Sequence, residues 1–164
     1  MILSDELLEL AGRAGAALKA REEMVAVVES AAGGLVSAAL LAIAGASEFY
    51  AGGVVMYTAS TRRLLVAQLP IPDGTRGATE RFAVWEADVA VAALAAQWGV
   101  GETGAAGPAG NRYGDPSGHA WVAVRGPGRL LSAQVLTGSD DRLANMETFA
   151  VRCLQLLNEA LGAA

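Results

Sequence analysis

Hydrophobic residues recur at helical spacing from the start of the chain. Leu7, Leu10, Ala14 and Leu18 fall on one face, Ser4 stands before them as a cap, and Asp5 and Glu6 suit the positive helix end. Met24 to Val28 is a short β-branched run that predicts a buried strand. Gly33-Gly34 allows a tight turn into an apolar helix ending near Gly45, with backbone amides expected to point outward where an anion can meet them. Gly52-Gly53 opens a second strand over Val54 to Tyr57, and Ser60 to Gln68 predicts a short helix stopped by Pro70 and Pro72. From Thr79, the residues Phe82, Trp85, Val89, Ala92, Ala93 and Ala96 mark one face of a longer helix. Trp98 to Glu102 predicts a strand, and the Gly- and Pro-rich stretch from Thr103 to Gly118 a long loop. Ala120 to Val124 and Leu130 to Leu136 read as a hairpin turning at Gly126-Pro127-Gly128. A last helix, starting near Ser139 or Asp140, packs through Leu143, Met146, Phe149, Cys153, Leu156 and Leu157. Helices alternating with strands imply an α/β sheet covered on both faces, and no repeat or linker divides residues 1–164, so one domain is expected.

Composition narrows the function. Of 164 residues, 53% are hydrophobic, 35 are alanine and 20 glycine, so elements can approach closely around a core with few aromatics. A single histidine, His119, and a single cysteine, Cys153, leave no metal cluster and no internal disulfide, and a cytoplasmic protein is expected. The net charge of −5 disfavours nucleic acid as a partner. No membrane span is expected, because the most apolar run, Leu35 to Ala44, is far shorter than the roughly 20 residues a bilayer requires. The stretch Met1 to Glu9 is acidic, unlike a signal peptide.

Several residues could carry chemistry. The segment Thr103 to Gly110 follows a strand end, where loop amides can cradle an anion, although a plain surface loop fits as well. Ser30, at a strand-to-helix turn, suits a nucleophile, a ligand contact or, most commonly, a cap. By spacing alone Ser47 is a turn serine, His119 a surface histidine and Cys153 a core residue. Arg112 and Arg142 are possible phosphate contacts that spacing does not single out.

Four stretches in order resemble the CinA C-terminal domain family, which includes bacterial nicotinamide mononucleotide deamidases. Val28-Glu29-Ser30-Ala31-Ala32-Gly33-Gly34-Leu35 is similar to Ala-Glu-Ser-Cys-Thr-Gly-Gly. Gly45-Ala46-Ser47-Glu48, followed by Gly52-Gly53-Val54-Val55-Met56-Tyr57-Thr58, is similar to Gly-Ser-Ser and Gly-Gly-Val-Val-Xaa-Tyr-Ser. Thr103-Gly104-Ala105-Ala106-Gly107-Pro108 looks like Thr-Gly-Ile-Ala-Gly-Pro, and Pro116-Ser117-Gly118-His119-Ala120-Trp121-Val122-Ala123 like Pro-Val-Gly-Thr-Val-Trp-Ile-Ala. The amino-terminal molybdopterin-binding-like domain of longer members is not expected within these 164 residues.

The resemblance implies a three-layer α/β/α sandwich, usually a homodimer, that hydrolyses the carboxamide of nicotinamide mononucleotide to a carboxylate and ammonia with no cofactor or metal. It places the nucleophile at Ser47, ten residues before Tyr57 and with Tyr57 beside it in the catalytic site, and a proton-accepting lysine five residues after Tyr57, at Arg62. Ser30, Gly33, Gly34, Thr103, Gly104 and Gly107 are the expected substrate-binding residues. A guanidinium stays charged in proteins, so Arg62 cannot serve as the base. Ala31-Ala32 also replaces Cys-Thr, and Glu48 stands where a small residue is usual. These departures leave a second expectation, a catalytically inactive nucleotide-binding or regulatory homologue.

Overall fold

The computed structural model describes residues 3–163. Met1 and Ile2 of the acidic stretch, and Ala164, lie outside the described residues. The elements in chain order are α1 (Asp5–Arg21), β1 (Val25–Glu29), α2 (Leu35–Leu41), a 3-10 turn (Ala46–Glu48), β2 (Tyr50–Val55), α3 (Ala59–Val66), α4 (Glu80–Leu94), β3 (Trp98–Ala105), β4 (His119–Gly126), β5 (Arg129–Leu136) and α5 (Arg142–Leu161). The strands form one sheet in the order β2-β1-β3-β4-β5. β1 pairs in parallel with β2 and β3, and β4 and β5 add an antiparallel hairpin.

Both faces of the sheet are covered, giving a three-layer α/β/α sandwich. Val25, Val27 and Val100 pack with Leu7 and Leu18 of α1, Val36 and Leu40 of α2, and Phe149 and Leu157 of α5. Ala26 and Val28 pack on the other side with Leu65 of α3 and Phe82, Trp85 and Val89 of α4. α4 lies close against β3 because Gly99 and Gly101 have no Cβ; one at either position would run into the carbonyl of Ala87 or Ala83.

Ser4 and Thr79 cap their helices as the sequence signals, and Asp141 caps α5 where Ser139 or Asp140 was expected. Ser4 Oγ accepts the Leu7 N–H, Thr79 Oγ1 the Phe82 N–H, and Asp141 the Leu143 and Ala144 N–H groups. Several boundaries differ from expectation. α2 stops at Leu41 rather than near Gly45. β2 begins at Tyr50, so Tyr57 lies just beyond its end. β3 continues to Ala105, placing Thr103 and Gly104 in the strand, where they pair with Trp121 and Ala120 of β4. The ladder satisfies backbone groups that a glycine-rich composition suggested were left to a loop.

Candidate functional site

The parallel strands β1, β2 and β3 all end on the same edge of the sheet, where open α/β sheets place ligands. Ser30, Tyr57 and Thr103 emerge there and line a cavity of about 500 Å³, together with Arg62 from α3, Glu86 from α4 and Arg112 from the loop before β4.

Ser30 is fixed by Glu102. The Ser30 N–H donates to Glu102 Oε2 at 3.0 Å, and the Ser30 hydroxyl donates to the Glu102 backbone carbonyl at 3.2 Å. Glu102 Oε2 also accepts the Ala32 N–H at 2.8 Å. The neighbouring Glu29 accepts the N–H groups of Gly34, Val36 and Ser37, and the Ser37 hydroxyl. The turn amides are therefore occupied by the protein's own carboxylates, which corrects the expectation that they face outward to an anion. Gly33 and Gly34 act in the turn through left-handed backbone, φ 69° and 97°, and do not line the cavity.

Glu29, Glu86 and Glu102 have no exposed surface. Burial pushes the Glu102 carboxyl up to about 7 against the opposing pull of its backbone N–H partners. Burial also holds Glu86 well above the usual carboxylate range, and Glu102 adds to the effect. Neither oxygen of Glu86 has a hydrogen-bond partner, and Glu102 Oε1 also lacks one.

The outer wall is braced by a polar cluster. Arg76 grips Asp115 at 2.7 and 3.2 Å, and Asn111 Nδ2 donates to the same carboxylate at 2.8 Å. The Arg76 bonds hold the Asp115 carboxyl below its usual range. The Arg76 and Arg112 guanidinium groups lie 4.9 and 5.0 Å from the Tyr113 ring. Thr103 is buried, and its Oγ1 accepts the Ala78 N–H at 3.0 Å, which fixes the segment leading into α4. His119 is also buried rather than on the surface, with Nε2 2.9 Å from the Ala78 carbonyl.

Ser47 is not at this site. It is exposed on the 3-10 turn before β2, whereas Tyr57 follows the end of that strand. The six residues of β2 separate them by roughly 20 Å at strand rise, so the expected pairing of Ser47 with Tyr57 does not occur. Gly107 is buried away from the cavity; a Cβ there would strike Ser117, and its carbonyl accepts Arg142 Nη1 at 2.6 Å. Gly104 does line the cavity, and a Cβ there would press on the backbone of β4. Lys19, the one lysine, donates to the Ala44 carbonyl at 3.0 Å and lies 3.4 Å from Glu48, beside Ser47 and away from the cavity.

Sequence reasoning overlooked Glu86, Glu102 and Asn111. Glu86 had a signal: it lies four residues after Phe82 and three before Val89, on the apolar face of α4. Among the described residues, no group of three or more His, Cys, Asp or Glu side chains is arranged to hold a metal ion. No helix among them is long and apolar enough to cross a membrane.

The family model for the CinA C-terminal domain matches residues 7–161. The chain belongs to the CinA C-terminal domain family. A CinA-like protein of Anaeromyxobacter sp. (strain K) is 38% identical over 159 residues, covering 96% of this chain and 38% of the relative. One of Salinibacter ruber is 34% identical over 142 residues, covering 86% of this chain and 34% of the relative. The chain thus spans little more than a third of the length of these curated CinA relatives. Among solved CinA structures, the competence/damage inducible protein CihA from Agrobacterium tumefaciens superimposes with a TM-score of 0.87 at 28% identity, covering 98% of both chains. A CinA superfamily protein from Escherichia coli gives 0.84 at 24% identity, covering 94% of this chain and 91% of that one, a likeness of fold.

Proposed function

We propose that this CinA-family chain hydrolyses the carboxamide of a nicotinamide mononucleotide-like nucleotide, with Ser30 rather than Ser47 as the attacking hydroxyl. The observation that carries the reading is the convergence of Ser30, Tyr57 and Arg62 on one cavity at the carboxyl edge of the parallel strands. Attack by Ser30 Oγ on the carboxamide carbon releases ammonia and leaves an ester that water hydrolyses to the carboxylate. Arg62 and Arg112 supply positive charge for the phosphate, and Tyr57 stands at the mouth with 68% of its surface exposed. The domain within these residues works as a cytoplasmic homodimer, with no nucleic acid or membrane partner and no metal or cofactor. Light scattering tests the dimer.

Ammonia release from nicotinamide mononucleotide tests the activity. The Ser30→Ala variant is expected to lose it and Ser47→Ala to keep it; the opposite result removes Ser30 from the reaction.

A second reading is nucleotide binding without turnover. It is favoured by the cationic Arg62 in the cavity and by the remote position of Lys19. Calorimetric binding without ammonia release in the wild type supports this reading over the first.

A further inference from the structure

Glu86 is unlike the rest of the cavity wall. It occupies the apolar face of α4 among Phe82, Trp85 and Val89, where a hydrophobic side chain would satisfy the packing. It lines the cavity, has no exposed surface, and leaves both carboxyl oxygens without a partner. An unpaired buried carboxyl is destabilising in either protonation state, so a ligand group that supplies its partner gains that energy on binding. At the other end, Arg112 is exposed and Arg62 half-buried, and neither has a carboxylate partner among the described residues. The cavity is thus polarised, with cationic groups at the mouth and an acid at the floor.

We propose that Glu86 recognises the inner end of the ligand, taking a cationic ring or an amide N–H donor, while Arg62 and Arg112 take an anionic group at the mouth. The ligand class is a dipolar molecule with its anion outward, which rests on the nucleotide reading above and adds the residue that selects the amide over its acid. An amide N–H can donate to Glu86 in either of its protonation states, whereas a product carboxylate is repelled once a docked cation has ionised it.

The charged groups facing Glu86 set its response. From β3, Glu102 opposes ionisation of Glu86. From α3, Arg62 shares the cavity. From β4, Arg125 is engaged 2.5 Å from Asp88 of α4 itself, and on the β5 side Glu80 is bonded to Ser132. β1 and β2 present the apolar Ala26, Val28 and Val54 to the core packed beneath α4. Burial and Glu102 both oppose ionisation of Glu86 in the empty cavity and a docked cation favours it, so cation binding is coupled to proton release.

Calorimetric titration in two buffers of different ionisation enthalpy tests this, with nicotinamide mononucleotide, nicotinic acid mononucleotide and phosphocholine as probes. Phosphocholine joins a phosphate to a quaternary ammonium and has no amide. The wild type is expected to release a proton on binding nicotinamide mononucleotide and to prefer it to the acid by about tenfold or more. Glu86→Gln, which keeps shape and hydrogen bonding, loses the proton release; Glu86→Met, which also tests whether the fold tolerates an apolar residue, loses the preference. Phosphocholine bound with proton release, while nicotinamide mononucleotide yields no ammonia, supports the Glu86 assignment and removes the amidase reading. Ammonia release with KM unchanged in both Glu86 variants overturns the assignment and leaves the amidase reading standing. Failure of every probe to bind the wild type overturns both.

Discussion

Glu102 holds Ser30 from two directions, accepting its N–H through the side-chain carboxyl and its hydroxyl through the backbone carbonyl. The two residues are 72 positions apart in sequence and meet because β1 and β3 are neighbours in parallel register, with Glu29 opposite Glu102. One residue of β3 thus sets both the direction of the turn and the orientation of the hydroxyl.

Replacing Glu102 by alanine strips the half-buried Ser30 amide and the buried Ala32 amide of their acceptor. At about 1–3 kcal/mol for each unsatisfied buried group, Glu102→Ala is expected to lower the unfolding free energy by roughly 3 kcal/mol. Urea denaturation of the variant beside the wild type checks this, and a loss below about 1 kcal/mol refutes it.

The same carboxyl makes stability depend on pH. It titrates near 4.5 in an unfolded chain and near about 7 in the folded one, so the native state binds more protons across that window. Stability therefore falls as pH rises from 4.5 to about 7, by at most about 3 kcal/mol from this group. Glu86, raised for the same reason, acts with the same sign. Denaturation midpoints measured across the window are expected to decline with pH, and Glu102→Gln to flatten part of the slope.

Close contact between α4 and β3 predicts a cost for a single methyl group. In Gly101→Ala the new Cβ meets the Ala83 carbonyl and lies 2.6 Å from the Ala87 nitrogen, both backbone atoms that cannot step aside. Overpacking of this kind costs about 1–3 kcal/mol or more, whereas Gly74→Ala has open space and only its positive φ of 73° to oppose it. Thermal unfolding of the two variants is expected to rank Gly101→Ala as the more damaging.

Arg62→Lys tests the chemistry of the cavity wall. A lysine there can lose its proton when desolvated and accept one from Ser30, so ammonia release is expected to rise by on the order of 10²-fold. An unchanged rate assigns the residue at this position to binding alone.

Much of this architecture was legible in the sequence because burial imposes periodicity. α1, α4 and α5 announce themselves through apolar spacing, and Ser4 and Thr79 mark the first two starts, whereas α5 is capped by Asp141 rather than by Ser139 or Asp140. Ser47 shows where that logic fails. Ten residues look close on paper, but most of the interval before Tyr57 is an extended strand, and extension turns short sequence separation into distance. Conversely, Ser30 and Glu102 are remote in sequence and joined by strand pairing, which no local pattern encodes. The buried glutamates were also hidden, because a carboxylate in a motif looks solvated until the fold encloses it.

The loaded turn after β1 has one more consequence. Its carboxylates are tethered to the amides they satisfy, so they act at an effective concentration that a dissolved phosphate does not match. An incoming anion is left to the guanidinium groups at the mouth, one of them open to water. Such attraction is screened within about 10 Å at ordinary salt, so any anion drawn to this cavity would be held with an affinity tuned by ionic strength, as it would not be in a glycine-loop cradle with free amides.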